Sequence, residues 1–117
     1  MHKSANDPND LEKYFVERAN SGDVEGLVSL YEPDAVLVDS NGEIVKGLNQ
    51  IREFFIKFLA SRPQFEPSNQ APAVRSGDVA LTSSSLSSGD VTAEIARRQS
   101  DGSWLWVIDQ FSLGDKR

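Results

Sequence analysis

Apolar positions recur with a helical period in the first half of the chain and with a strand period in the second. Leu11, Tyr14, Phe15 and Arg18 fall at i, i+3, i+4 and i+7, and Ala19 widens the stripe. Asp7-Pro8 supplies an acceptor for orphan N–H groups and a proline for the first turn, so the spacing predicts a helix over 8–21. Gly22 ends it. Asp23 caps a second helix over 24–31, carried by Val24, Leu27, Val28 and Tyr31. Leu48, Ile51, Phe54, Phe55, Phe58 and Leu59 predict a third over 48–61, buried on a wide face.

Between the second and third helices, Glu32-Pro33-Asp34 forces the chain out of helical geometry. Ala35–Asp39 reads as a strand, apolar on both faces except for Asp39. Asn41-Gly42 suits a type I′ turn that returns the chain as Glu43–Lys46. From Gln64 the signals are β. Gln64–Arg75 is interrupted by Pro67 and Pro72 and reads as an edge or bulged strand. Val79–Ser87, Val91–Gln99 and Ser103–Ser112, joined at Gly77, Gly89 and Gly102, read as a meander. Helices first and strands later indicate an α+β fold. We expect a single domain over 7–113, with flexible tails at 1–6 and 114–117.

Composition narrows the function. A chain of 117 residues is one domain, and a formal charge of −6 gives no footprint for a nucleic-acid backbone. There is no cysteine, and the one histidine, His2, lies in a polar stretch, so no metal site is expected inside the fold. No cofactor motif appears. No run approaches 18 apolar residues and the start lacks a leader's apolar core, so no membrane partner is expected and a cytoplasmic location is the default. Asp39 is the acid whose position suggests chemistry. Its plainer reading is a turn residue, since Asp readily accepts backbone N–H groups two residues on.

The segments NSGDVEGLVSLYEPDAVLVD, KGLNQIREFF and RRQSDGSWLWVIDQFS, in that order, resemble the nuclear-transport-factor-2-like superfamily, in its SnoaL-like and ketosteroid-isomerase-like branch. The resemblance implies a cone-shaped α+β barrel. Three N-terminal helices would pack in the concavity of a curved, mostly antiparallel six-stranded sheet, with an apolar pocket at the open end. Such folds host isomerases, cyclases, dehydratases and epoxide hydrolases, so the fold alone does not settle function.

In ketosteroid isomerases an Asp at the end of the first strand is the general base, and Asp39 matches that position. Phe15 stands where the family's donor Tyr stands, and Ala96 where its donor acid stands; Tyr14 is one residue off. Losing one such donor costs about 10²–10³ in rate, so a genuine ketosteroid isomerase is not expected. The resemblance turns Thr92, Glu94, Ala96 and Arg98 into the cone, where Arg98 could pair with Glu94 or polarise a carbonyl. It also implies pocket positions for Tyr14, Phe15, Tyr31, Leu37, Phe54, Phe55, Trp106 and Gln110. The helical aromatics read equally well as core. An epoxide-hydrolase arrangement of Asp39, Arg98 and Asp109 has the right residue types, but Asp109 falls on the opposite parity from Trp106 unless a bulge intervenes.

The expectation is a domain that binds a small apolar or partly polar organic molecule and carries out cofactor-free proton transfer of isomerase, cyclase or dehydratase type with Asp39 as base. The alternatives are a non-catalytic ligand-binding module and a dimerisation module. A homodimer is expected because Trp104, Leu105, Trp106 and Val107 put apolar side chains on both faces of one strand.

Overall fold

Arg18 fixes the way the chain enters the fold. In the computed structural model, which describes residues 2–113, α1 spans Asp10–Asn20 and α2 spans Val24–Val28. The Arg18 guanidinium is buried between them, donating to Gly26 O at 2.9 Å and to Lys3 O at 2.7 Å. Asp23 caps α2 by accepting the Gly26 N–H at 2.9 Å, and a Cβ at residue 26 would lie 2.3 Å from Asp23 Oδ2. Only glycine fits under that cap. The hold on Lys3 draws in the segment before α1. Ala5 is buried and its carbonyl accepts the Trp104 N–H at 2.9 Å. Within the expected tail over 1–6, His2 and Lys3 are exposed but hydrogen-bonded to Asp23 and Arg18, and Ala5 is buried; residues 1 and 114–117 lie outside the described residues.

α2 ends earlier than its apolar spacing suggested. Trp106 N–H bonds Leu30 O at 2.8 Å and draws Tyr31 into β1, Tyr31–Val38, alongside β7, Trp104–Gln110, in the sheet's parallel pairing. The register jumps between Tyr31 and Val36, around Pro33, which has no N–H to give the ladder. The return to β2, Ile44–Lys46, is not the type I′ turn expected from Asn41-Gly42. Only Gly42 has positive φ, +83°, and Gly42 N bonds Asp39 O at 3.0 Å while Asp39 N bonds Glu43 O at 3.0 Å. That is the three-residue hairpin with glycine in the left-handed position.

α3, Gly47–Phe58, continues into a single 3₁₀ turn over Leu59–Ser61. The expected Gln64–Arg75 strand is instead two short pieces around Pro72. These are β3, Asn69–Gln70, and β4, Val74–Ser76, both paired antiparallel to β5, Val79–Ser85. With β6, Val91–Arg98, the sheet order is β2-β1-β7-β6-β5-β3, with β4 also on β5: seven strands, two of them fragments of the expected edge.

The inner face of the sheet covers the helices. Trp104, Trp106 and Ala96 are buried there with Leu11, Phe15, Ile51 and Phe55. Ala96 pairs with Trp106 but Ile95 with Ile108, so Val107 is an extra residue in β7. This bulge reverses the alternation. Ile108 turns out, 42% exposed, and Asp109 turns in, 3% exposed. The outer face carries Leu81, Ile95, Ile108 and Val36 in one line of paired residues across β5, β6, β7 and β1.

Phe55 touches the rings of Phe15, Tyr31, Phe54 and Phe58 and is fully buried. Phe55→Ala is expected to lower the unfolding free energy by about 3–5 kcal/mol, read as a shift of the urea midpoint at unchanged slope.

Candidate functional site

The bulge completes a polar row inside an otherwise apolar concavity. Thr82 on β5 pairs with Glu94 on β6, and Glu94 pairs with Asp109 on β7. All three are buried. Thr82 Oγ1 donates to Glu94 Oε1 at 2.7 Å. From the other side the Tyr31 hydroxyl donates to Asp109 Oδ2 at 2.5 Å. One pair along, Ser84 faces Thr92, and neither hydroxyl has a hydrogen-bond partner.

This row borders a cavity of about 180 Å³. α1 supplies Glu12, Phe15 and Val16, which share one helix face at i, i+3 and i+4. Phe58 comes from α3 and Phe111 from just beyond β7. The segment after the 3₁₀ turn closes over the top with Phe65 and Ser68. Two amide clamps hold it to α1. Asn20 accepts the Phe65 N–H at 2.7 Å and donates to Phe65 O at 2.9 Å, while Asn9 and Gln70 bond each other at 2.8 Å and 2.9 Å. Ser68 Oγ donates to Glu12 Oε2 at 3.2 Å. Glu12 also borders the groove between α1 and Pro67–Gln70, which leaves it half-buried.

Crowding acids into this space favours their neutral forms. Glu12 is pushed from an ordinary 4.5 up to about 8, by burial first and by the charge of Glu94 second, with the Ser68 hydroxyl pulling back. Asp109 is held well above the carboxylate range by full burial and then by Glu94, against the pull of the Tyr31 hydrogen bond. Glu94 is also raised by burial, but the Thr92 and Thr82 hydroxyls oppose the rise. Thr92 Oγ1 stands close enough to favour the Glu94 charge yet completes no well-aligned hydrogen bond. Tyr31 is raised by burial and by Asp109, so it remains a neutral donor. Among the described residues no group of three His, Cys, Asp or Glu is placed to hold a metal ion.

Of the positions expected in the site, Phe15 and Glu94 border the cavity. Tyr31 reaches it through Asp109, and Leu37, Phe55 and Trp106 are core behind it. Phe54 packs half-buried against Phe55 and Phe58. Tyr14 lies outside the cavity lining, with the Arg18 guanidinium 4.9 Å from its ring centre. Arg98 does not enter the cone. It lies exposed at the end of β6, paired with Asp78, because the strand runs past the covered face. Gln110 loses its inward position to Asp109 through the bulge and donates to Ser112 O at 3.0 Å. Asp39 sits in the hairpin, its Oδ1 accepting the N–H of Asn41 at 2.8 Å and of Glu43 at 3.0 Å. Its neighbour Ser40 borders the cavity; Asp39 does not. Glu12 and Phe65 were missed in the sequence. Glu12 had a signal, one helical turn before Phe15 and Val16 on the same face.

The raised acids set a pH signature. Between 4.5 and about 8 the unfolded chain has released the Glu12 proton while the folded chain retains it, so stability falls as pH rises through that window. Glu12→Gln is expected to remove this loss. Its melting temperature should gain on wild type from pH 4.5 to 8 and hold the gain above 8; parallel melting curves across the range would contradict the assignment.

Residues 11–117 match the SnoaL-like domain family. No curated protein matches the chain in sequence. Among solved structures, a provisionally assigned calcium/calmodulin-dependent protein kinase type II association domain from Thiobacillus denitrificans superposes with a TM-score of 0.78 at 11% identity, covering 96% of this chain and 99% of that one. A provisionally named dehydratase of the NTF2-like family from Streptomyces avermitilis gives 0.71 at 16% identity, covering 87% and 90%. A ketosteroid isomerase-like protein from Erwinia carotovora atroseptica gives 0.71 at 16%, covering 92% and 94%. Likeness at such identities establishes the cone fold and leaves the chemistry to the residues. The chain belongs to the SnoaL-like domain family, within the NTF2-like fold.

Proposed function

We propose that this domain binds a small organic molecule in the Glu12–Glu94–Asp109 cavity and moves a proton on it by general acid–base catalysis, with no cofactor. The observation that carries the reading is the adjacency of Glu94 and Asp109 on the inner face, two carboxyls both raised by burial, of which Glu94 has hydroxyls opposing the rise while Asp109 also feels the charge of Glu94. Glu94, assisted by hydroxyls, is the first to ionise and takes a proton from carbon. Asp109, with Tyr31 on its Oδ2, stays neutral and is free to donate from Oδ1 to the oxygen on which charge develops. The proton returns to a different carbon, so the net reaction is an isomerisation with no change of oxidation state. This arrangement replaces the donors absent at Phe15 and Ala96, and it assigns the base to Glu94 in place of Asp39.

Deuterium incorporation from D₂O into a small aryl ketone such as phenylacetone, followed by NMR, tests the machinery. Wild type is expected to exceed the buffer rate, Glu94→Gln to lose about 10²–10⁴ of the enhancement, and Asp39→Asn to retain it. The reverse order would return the base to Asp39, and no enhancement in wild type would leave a binding module.

The same reading takes the protein as a homodimer joined through the outer face of the sheet. What supports it is the line Leu81–Ile95–Ile108–Val36, flanked by Val79 and Val74, which leaves an apolar strip on a chain of net charge −6. Sedimentation equilibrium at micromolar concentration is expected to give twice 12.9 kDa, and Ile108→Lys to give one chain. A wild-type mass of one chain would overturn it.

A further inference from the structure

We propose that the molecule held in this cavity is a small organic cation, one ring or short chain bearing a single ammonium group, seated between carboxyls and phenyl rings. The inference rests on the reading above that the cavity is the ligand site, and it adds the class of ligand.

Charge comes first. Four acids border the cavity, Glu12, Glu66, Glu94 and Asp109, and among the described residues no Lys, Arg or His does. An anion would find no cationic partner among the described lining residues, and a chain of net charge −6 steers cations inward and anions away. The apolar half of the lining has the matching form. Phe15, Phe65, Phe58 and Phe111 make a closed circuit of neighbouring rings, with successive centres 6.1, 5.7, 5.9 and 5.9 Å apart. Phenyl faces attract an ammonium or an alkylated ammonium through their quadrupoles, most strongly where water is excluded.

A second, independent feature points to a polar guest. Thr92 borders the cavity at 8% exposure, and its Oγ1 lies beside the Glu94 carboxyl without completing a well-aligned hydrogen bond. A purely apolar guest would leave that hydroxyl and the buried carboxyls of Glu94 and Asp109 facing hydrocarbon, which is costly. An ammonium supplies N–H donors that a hydroxyl and a carboxylate can both accept. A positive charge within a few ångströms also favours the ionised form of a neighbouring carboxylate, which prepares Glu94 as a base. Size sets the limit. A cavity near 150 Å³ holds one benzene ring, so about 180 Å³ admits a ring with a short arm.

The test is an NMR titration of the whole chain with three probes of one shape: 2-phenylethylamine, 2-phenylethanol and 3-phenylpropionate. The amine is expected to shift the Phe15, Thr92 and Phe111 amides and to bind at least tenfold more tightly than the alcohol, with the propionate inert. Glu12→Gln and Glu94→Gln are each expected to weaken the amine tenfold or more and to leave the alcohol within about twofold, which also reports that the variants are folded. If the alcohol or the propionate binds as tightly as the amine, or if the Gln variants hold the amine like wild type, the cavity remains a ligand site and the cationic class is wrong. If no probe shifts those amides, or the amine shifts only surface acids, the cationic class fails; silence from all three probes also removes the cavity as a ligand site.

Discussion

One extra residue in β7 governs the interior. Without the bulge at Val107, strict alternation from Trp104 and Trp106 would turn Ile108 inward and Asp109 to solvent. With it, the first half of the strand supplies two indoles to the core and the second half supplies a carboxyl to the cavity. The same slip sets the parallel pairing with β1, where Tyr31 meets Trp106 and Leu37 meets Asp109. Tyr31 can then reach Asp109 only because both strands change step, β1 between Tyr31 and Val36 and β7 at Val107. A bulge re-aims a side chain, and here the side chain is a buried acid.

Placing Glu94, Asp109 and Glu12 together works against stability. Each carboxyl loses water and two of them feel the charge of Glu94, so the folded state favours protons that the unfolded chain has already released at neutral pH. A Thr, Val or Leu at any of these positions would remove that cost. The surrounding structure instead stabilises the group: hydroxyls from Thr82, Ser68 and Tyr31 each meet one carboxyl. The amide clamps of Asn20 and Asn9 fix the covering segment above it. Polar groups retained at such a cost beside an apolar cavity are the ground on which the proposed site rests.

The fold was legible in the sequence because its signals are local and repeat. The three helices, the Gly-punctuated meander and the proline-broken edge all follow from spacing, and the ordered segments pointed to the cone. The errors have a common cause in long-range pairing. Tyr31 fits a helical stripe, but the Trp106 N–H takes the Leu30 carbonyl and the residue joins a strand. Asn41-Gly42 suits a two-residue turn, yet Asp39 accepting two backbone N–H groups favours the three-residue form. The site was less legible. Alternation put Glu94 and Ala96 on one face and the resemblance turned that face inward, where both are buried; parity counting cannot locate a bulge, so it favoured Gln110 where Asp109 turns in. Arg98 shares the parity of Glu94 but lies past the end of the covered face, and nothing local marks where cover ends.

The position of Asp39 clarifies how one cone can carry chemistry at different places. At the tip of β1 an acid lies beside a hairpin, and a hairpin offers backbone donors at close range. Here two of them already engage the same oxygen, and the carboxyl serves the turn. In the middle of the inner face it is side chains that meet the acids, Thr82 at Glu94 and Tyr31 at Asp109. The protonation of an acid there is set by which hydroxyls and charges surround it. Glu94 and Asp109 occupy that region as directly paired neighbours, both raised by burial, with hydroxyls opposing the rise at Glu94 and the charge of Glu94 adding to it at Asp109. Moving the acids from the rim to the floor of the cone exchanges anchoring by the backbone for tuning by the cavity, and the proton transfer proposed above rests on that tuning.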